Sequence, residues 1–389
     1  MKFKKLFKSV AAITLAFCLS IPANAAAVTQ SAPTLEEIAE LNRINAPKYA
    51  ISFIDEMFNS PGLQSGSVSE IYDEYDHITG YCVDLVNGND PSGYVIIDVT
   101  ADQPIVMDFC IELNAQNPFD TISETFELSV NNEFYYSFEP FDYYVYIPQD
   151  NILAGRDGQT ELTQSFETYK ANVASINISE CDKQNLNDSV EPYADKYSDV
   201  AAVVTDTFKG KYVDGDWIYG AKTMSFYSET DVDRLGYDYC CGVVFACNLL
   251  KYLHETKNIA GIYDNLRELY PIVYKVSEAD SDGVDVYDAV DAALEYLYQV
   301  GHPYKFGKYW LKLFSDYKRD VKKDQPSLFY YYGMTSTGID GHGVLVVGYL
   351  ESDENKYLCV ADGWFNYPRY LNYSGGVFKD EGGGTFYAA

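Results

Sequence analysis

Basic residues are scarce in this chain of 389 residues, which carries 28 Lys and Arg against 58 Asp and Glu and has a formal net charge of −30. Proteins that bind nucleic acid through its phosphates need a basic face, so we expect no nucleic-acid partner. The acidic excess is instead typical of a protein that stays soluble in an extracellular medium. Hydrophobic residues make up 47% of the chain and aromatic residues 16%, which excludes disorder as its general state.

Recognisable metal-binding patterns are also missing. No two cysteines are spaced as C-x-x-C, and the four histidines are scattered, at His77, His254, His302 and His342. The acids of segment 278–289 imitate a calcium-binding loop, but Ala289 stands where calcium requires a bidentate Glu. Asp285 is better explained as the N-cap of a following helix. We therefore expect no metal and no cofactor.

Long apolar segments do not occur after the first 25 residues. Four lysines within the first eight residues precede an apolar stretch from Val10 to Ile21, and Ala23-Asn24-Ala25 then supplies a small-x-small cleavage signal. This pattern predicts a Sec-type bacterial signal peptide over residues 1–25, cut before Ala26. A membrane anchor is the alternative, but the apolar stretch is short for spanning a bilayer. We expect a secreted mature chain without stable membrane insertion; its oligomeric state is left open.

The cysteine count leaves at least one thiol without a disulfide partner within the chain. Eight cysteines are present, and one of them, Cys18, lies in the predicted signal peptide. The odd number that remains means that at least one thiol of the exported chain is unpaired or pairs with another chain.

The first half of the mature chain has its own pattern. A three-residue apolar spacing predicts helix from Thr34 to Asn59, with an interruption at Pro47. Short alternating segments separated by turn residues then predict an antiparallel meander that ends near Pro148. We expect an N-terminal α+β domain over residues 26–150 and, because the next stretch is polar and lacks sustained periodicity, a linker over 151–195 with helical pieces near 161–174.

The second half, residues 196–389, changes character. One helix is predicted to begin near Cys241 and another to run from about Val286 to Gln299. Segments rich in Val, Leu and Tyr then predict strands around 327–334, 341–350 and 356–364. Helices followed by an antiparallel sheet indicate an α+β fold.

Three residues of this half form a candidate catalytic triad, namely Cys241, His342 and Asp362. A thiol at a helix N-terminus has a lowered pKa, because the helix dipole stabilises the thiolate. A His accepts its proton, and a carboxylate orients the His. His342 lies ahead of one predicted strand and Asp362 ends the next, so both can lie at one end of a sheet against the Cys241 helix.

The segments CGVVFACNLLKYL, GHGVLVVGYL and VADGW resemble papain-like cysteine peptidases of the bacteriocin-processing (double-glycine leader) peptidase-like group. The resemblance spans roughly Tyr197 to Tyr387. It implies a papain-like fold, in which the helix carrying Cys packs on an antiparallel sheet. It also implies Cys241 as nucleophile, His342 as base and Asp362 as orienting residue. Two features depart from the family pattern: segment 231–241 contains no Gln to serve as oxyanion donor, and Val243 stands where Pro is common.

The expected function is hydrolysis of a peptide or isopeptide bond in a peptide or protein substrate. Two alternatives stay open: a non-catalytic extracellular binding module that keeps the fold, and a cell-wall peptide amide hydrolase. The N-terminal half is similar to the prodomains of streptopain-like peptidases, which implies a zymogen whose cleft is blocked. An accessory binding or surface domain is the equal alternative.

Overall fold

The computed structural model describes residues 33–59, 61–128, 133–139, 141–155, 158–185, 202–237, 240–279, 283–335, 338–374 and 379–389. The predicted signal peptide, residues 1–25, lies outside these ranges. The described part combines helices with one large, mostly antiparallel sheet, which confirms the expected α+β class.

The helices, numbered in chain order, are α1 (Leu35–Phe58), α2 (Pro118–Thr125), α3 (Phe166–Asn185), α4 (Glu229–Asp233), α5 (Cys241–Lys257), α6 (Leu266–Val276), α7 (Val286–Gln299) and α8 (Phe314–Lys322). The strands are β1 (Gln64–Tyr72), β2 (Ile78–Asn87), β3 (Asp90–Asp98), β4 (Ile105–Cys110), β5 (Phe134–Glu139), β6 (Asp142–Ile147), β7 (Ile152–Gly155), β8 (Gly158–Glu161), β9 (Tyr212–Trp217), β10 (Tyr304–Tyr309), β11 (Ser327–Thr335), β12 (Gly338–Ser352), β13 (Lys356–Ala361), β14 (Arg369–Asn372) and β15 (Lys379–Ala388).

The sheet runs in the order β10-β15-β11-β12-β13-β14-β4-β3-β2-β1-β5-β6-β7-β8, and β9 pairs with β12 beside this path. Neighbouring strands are antiparallel except β1 and β5, which are parallel. The two halves of the chain meet where β14 pairs with β4, with Tyr370 opposite Phe109 and Leu371 opposite Asp108. A single sheet therefore crosses the domain boundary that the sequence suggested.

Helix α1 is continuous, so the predicted interruption at Pro47 is wrong. Proline removes one backbone hydrogen bond and crowds the preceding turn, a local cost that tertiary packing can offset. Ala46, Ala50 and Phe53 are fully buried on the inner side of this helix. Asn42 also ties the helix to the second half, since its side chain donates to the Ala202 carbonyl and accepts from the Val204 N–H.

The stretch expected to be a linker, residues 151–195, contains β7, β8 and helix α3 as far as Asn185. Aromatic contacts hold α3 against the sheet: the ring of Phe166 stacks on Tyr146 of β6, with centroids 3.8 Å apart. Such a contact leaves no periodic pattern in a polar segment, which explains why the sequence indicated only helical pieces near 161–174 and missed β7 and β8. Residues 186–195 lie outside the described ranges.

Helices α5 and α7 begin where the sequence predicted. Helix α5 starts at Cys241 and packs against α6, α7 and β12. Helix α7 spans Val286–Gln299, and its N-cap Asp285 accepts a hydrogen bond of 2.8 Å from the Tyr287 N–H. These boundaries depend on local capping and apolar spacing, which the sequence displays directly.

Both halves contribute to one apolar core. Phe109 of β4 stacks on Tyr370 of β14, with centroids 4.6 Å apart and planes 3° apart. Phe53 of α1 contacts Tyr357 of β13 edge-on at 5.8 Å. Leu35–Ala389 accordingly forms one compact unit.

We predict that residues 196–389, expressed alone, do not fold to a stable native state. Removal of the N-terminal half would expose the β14 edge and the faces of Tyr357 and Tyr370, which are buried in the full chain. The free energy lost by exposing these apolar surfaces to water exceeds the net stability of an ordinary domain. Urea unfolding followed by near-ultraviolet circular dichroism checks this, with residues 26–389 as control. A cooperative transition of the isolated fragment would contradict it.

Candidate active site

Cys241 is the first residue of α5, and its thiol lies near Gly341, close to the N-terminal end of β12. The preceding residue, Cys240, caps the helix in an extended conformation, so the first backbone N–H groups of α5 are directed towards the space around Cys241. The Cys241 sulfur lies 4.0 Å from the carbonyl oxygen of Gly341. Gly341 immediately precedes His342, so the predicted nucleophile lies near the main chain next to the predicted base.

Gly242 allows this close approach of α5. A Cβ atom at this position would lie 2.7 Å from Cγ1 of Val284 and 3.3 Å from Cβ of Ala289. Residues larger than Gly would push the N-terminus of α5 away from the segment that leads into α7. The Cys-Gly pair therefore has a packing reason in this chain, independent of any resemblance.

His342 lies on β12 and is 3% exposed. Its ring stacks on Trp364, with centroids 4.3 Å apart and planes 23° apart, and meets Tyr331 edge-on at 5.7 Å. Tyr331 is the residue opposite His342 on β11. Two aromatic side chains therefore fix the plane of the imidazole.

The imidazole is oriented by the main chain of Asp362. Its Nε2 atom lies 2.9 Å from the Asp362 carbonyl oxygen. A carbonyl can only accept, so this bond places the proton on Nε2 and leaves Nδ1 of the neutral ring as an acceptor. That tautomer suits a base that takes a proton from a thiol.

The Asp362 carboxylate has other partners than the one that the sequence suggested. Oδ1 accepts hydrogen bonds from the backbone N–H groups of Trp364, at 2.9 Å, and Phe365, at 3.3 Å. Oδ2 accepts from Nε of Arg369. Gly363 adopts the left-handed region with φ 81°, which closes the turn. The carboxylate therefore shapes the turn that seats Trp364 on His342, while the carbonyl of the same residue holds the ring.

Arg369 links the candidate site to the N-terminal half. It is fully buried and forms ion pairs with Asp362 and, through Nη1, with Asp108 of β4, both of which are also buried. Asp108 further accepts hydrogen bonds from the hydroxyl groups of Tyr94, at 3.1 Å, and Tyr143, at 3.0 Å. Desolvation raises the pKa of Asp108 to about 6 against the opposing attraction of Arg369. The sequence analysis missed Asp108 and Arg369, although Asp108 is a charged residue within an otherwise apolar strand.

Five other cysteines have side chains that the structure describes, and they differ from Cys241. Cys82, Cys110, Cys240, Cys247 and Cys359 are buried, whereas Cys241 is partly exposed. Desolvation raises the pKa of the Cys82, Cys110, Cys247 and Cys359 thiols, which disfavours their reactive thiolate forms. Within the described residues, no group of three His, Cys, Asp or Glu side chains could hold a metal ion.

No protein-family model matches this chain, and no curated protein matches it either. The papain-like resemblance accordingly stays a prediction that depends on the motif residues and on the geometry described above.

We predict that Arg369→Met lowers the free energy of unfolding by about 3–5 kcal/mol at pH 8, because it leaves two buried carboxylates without their cation. The loss should be smaller at pH 5. The folded-state pKa of Asp108, about 6, already exceeds that of an unfolded Asp, so the folded protein binds the extra proton and this group favours folding as the pH falls. Without Arg369 that pKa rises further, and the cost of the substitution grows with pH.

Urea unfolding of Arg369→Met at pH 5 and pH 8 measures both effects. Arg234→Met is the matched control, since Arg234 pairs with Asp231 at 3.6 Å on the surface and is 72% exposed; its removal should cost less than about 1 kcal/mol. Equal losses for the two variants would show that the buried pairs contribute no special stability.

Proposed function

We propose that this chain is a secreted thiol hydrolase with a papain-like site, which cleaves a peptide or isopeptide bond through an acyl-enzyme. One observation carries the proposal: the sulfur of Cys241, at the N-terminus of α5, lies 4.0 Å from the carbonyl oxygen of Gly341, the residue that precedes His342, and Nε2 of His342 is bonded to a main-chain carbonyl. A partly exposed thiol at a helix N-terminus and an oriented, buried imidazole on the strand that this thiol approaches are the parts that a thiol hydrolase requires.

In the proposed reaction, Nδ1 of His342 takes the thiol proton of Cys241, and the thiolate attacks the carbonyl carbon of the scissile bond. The tetrahedral intermediate collapses as His342 returns the proton to the departing amine. Water then attacks the thioester, giving one proton to His342, and the carboxylic acid product leaves as the thiol is re-formed. No cofactor enters any step.

The developing oxyanion needs hydrogen-bond donors. The backbone N–H of Cys241 is a donor of the first helical turn and is proposed to bind the oxyanion, and the α5 dipole adds to its effect. Segment 231–241 contains no Gln, and Asp238 and Tyr239 lie outside the described residues. The proposal therefore assigns the main-chain donor alone.

The N-terminal half is proposed to be a permanent part of the enzyme. It shares the sheet with the second half at β4 and β14, and Asp108 holds Arg369 behind the candidate site. Phe141 also approaches the ring of Tyr331, with centroids 6.5 Å apart, and Tyr331 contacts His342. These contacts support an integral supporting layer over the alternative of a removable prodomain.

We predict that an iodoacetamide probe at limiting concentration labels Cys241 at least about tenfold faster than the five buried cysteines named above, because Cys241 combines exposure with a helix N-terminus and, in the proposed site, a base. Peptide mapping of the labelled chain gives the rates. His342→Gln should slow labelling at neutral pH, whereas Cys247→Ala should leave the rate at Cys241 unchanged. Faster labelling of Cys240 or Cys247 would contradict the assignment.

We further predict that His342→Gln lowers kcat at least about a hundredfold, whereas Asp362→Asn lowers it less than about tenfold. The Asn variant keeps the main-chain carbonyl that bonds the ring. Asp108→Asn is the matched control, since it also removes one of the two carboxylates that flank Arg369. Turnover is measured on a fluorogenic peptide library and on peptidoglycan stem peptides, with folding checked by circular dichroism.

The pattern of these variants separates the hypotheses. If Asp362→Asn alone is as damaging as His342→Gln, the carboxylate itself must orient the imidazole. If the library yields no Cys241-dependent turnover although Cys241 is hyper-reactive, the non-catalytic binding module is favoured. Cleavage restricted to stem peptides would identify a cell-wall amide hydrolase.

A further inference from the structure

The segment that joins β10 to α8 reverses the usual distribution of polar and apolar side chains. Tyr309, Trp310, Leu311 and Leu313 are 40%, 88%, 63% and 53% exposed, while Lys312, in their midst, is 1% exposed. Folded proteins normally expose lysine and bury such large apolar residues. We refer to residues 309–313 as the apolar loop.

Lys312 fixes this inverted arrangement. Its ammonium group donates to the Gly384 carbonyl and to the Thr385 hydroxyl, both at 2.9 Å, and forms an ion pair of 2.6 Å with Asp320. Its main-chain carbonyl accepts from the Tyr373 hydroxyl at 2.9 Å. Because Lys312 is held inward on every side, its neighbours Leu311 and Leu313 are held outward. The exposure of the apolar loop is thus built into the fold.

The apolar loop lies in a basic part of an otherwise acidic chain. Residues 304–323 contain seven Lys and Arg against two Asp, whereas the whole chain has a formal net charge of −30. Lys305 and Lys308 are exposed on β10 directly before the loop. Lys318 and Lys322 on α8 are engaged with Asp214 and Glu351, and Arg319 with Asp316 and Asp320. The positive charge that is open to an external partner therefore comes mainly from the β10 side of the loop.

We propose that the apolar loop docks the protein onto an anionic lipid bilayer. Trp310, Leu311 and Leu313 would enter the boundary between headgroups and acyl chains, where Trp is favoured, and Lys305 and Lys308 would contact the lipid phosphates. Charge selects this partner, since a strongly acidic protein can approach an anionic surface only through a locally basic face. The structure has no helix, among its described residues, that is long and apolar enough to cross a bilayer, and the proposed contact is peripheral.

Docking would also place the candidate site close to the bilayer surface. The Lys308 ammonium lies 3.2 Å from the centroid of the Tyr287 ring, and that ring lies 6.2 Å from the ring of Tyr330. The Tyr330 hydroxyl in turn packs against Gly341, beside Cys241. Docking itself does not depend on the proposed function, because it concerns a surface outside the Cys241 site.

Cosedimentation with vesicles tests the proposal. The protein is used as residues 26–389, which retain the compact unit from Leu35 onward and lack the apolar N-terminal segment that would itself bind lipid. We expect binding to equimolar phosphatidylglycerol–phosphatidylcholine vesicles, at least about tenfold weaker binding to pure phosphatidylcholine, and weakening by salt. A blue shift of tryptophan emission should accompany binding and be lost in Trp310→Phe.

Variants locate the contact. Trp310→Ala combined with Leu311→Ala should reduce the partition coefficient at least about tenfold, and Lys305→Gln combined with Lys308→Gln should reduce it about tenfold at low salt. The matched control is Tyr219→Ala combined with Leu113→Ala, which removes side chains that are 72% and 65% exposed elsewhere. Sedimentation velocity without lipid tests whether a second copy of the chain occupies the apolar loop instead.

Three kinds of outcome would overturn the proposal. The first is an absence of vesicle binding by the parent protein. The second is equal binding to anionic and neutral vesicles, or equal losses in the loop and control variants. The third is a dimer in solution that only the loop variants dissociate, because the loop would then be occupied by a second copy. Hydrolytic activity is not a readout here, so a failure of docking and a failure of the proposed chemistry are distinguished.

Discussion

A single buried cation, Arg369, holds together the parts of this protein that matter most for the candidate site. Its guanidinium lies between Asp108 of the first half and Asp362 of the second, and all three side chains are withdrawn from water. Its Nη2 atom is buried and has no hydrogen-bond partner within the described residues. An incompletely satisfied buried cation adds little net stability compared with an apolar alternative. Its value lies in specificity, because the two carboxylates must converge on one point when the chain folds.

That convergence explains why the carboxylate and the main-chain carbonyl of Asp362 have different roles. Its carboxylate is committed to Arg369 and to the turn at Trp364, so the imidazole is held by the carbonyl of the same residue. One residue can thus connect the fold and the site: the side chain anchors the turn, and the main chain orients the base. The nearby pairing of β14 with β4 places Asp108 opposite Leu371 and so sets its position relative to Arg369. The N-terminal half contributes to the site through this geometry, without adding a residue to the proposed chemistry.

The limits of prediction from the sequence follow from the range of the interactions involved. The starts of α5 and α7 depend on neighbouring residues, and the sequence indicated both. The sequence also predicted that Cys241 and His342 converge, and the structure places the Cys241 sulfur 4.0 Å from the carbonyl oxygen of Gly341, the residue before His342. Asp108 and Arg369 are separated by 261 positions, and no local pattern pairs them. Pro47 was misjudged for the converse reason, since its local cost is offset by packing that becomes visible only in three dimensions. The split role of Asp362 could not be predicted, because residue type does not say whether a carbonyl or a carboxylate will act.

Lys312 and Arg369 show the same physical principle at two places in the molecule. Each is a buried cation in an ion pair with a buried carboxylate, and each fixes the direction of its neighbours. Arg369 directs the Asp362 turn inward, so that Trp364 covers His342. Lys312 draws one residue of a short segment inward, so that Trp310 and Leu311 must face solvent. In a chain with a large excess of acid, carboxylates to match a buried cation are plentiful and cations are few. Positions at which cations are buried are therefore positions at which geometry is tightly specified, and in this protein two of them lie behind the candidate site and beneath the apolar loop.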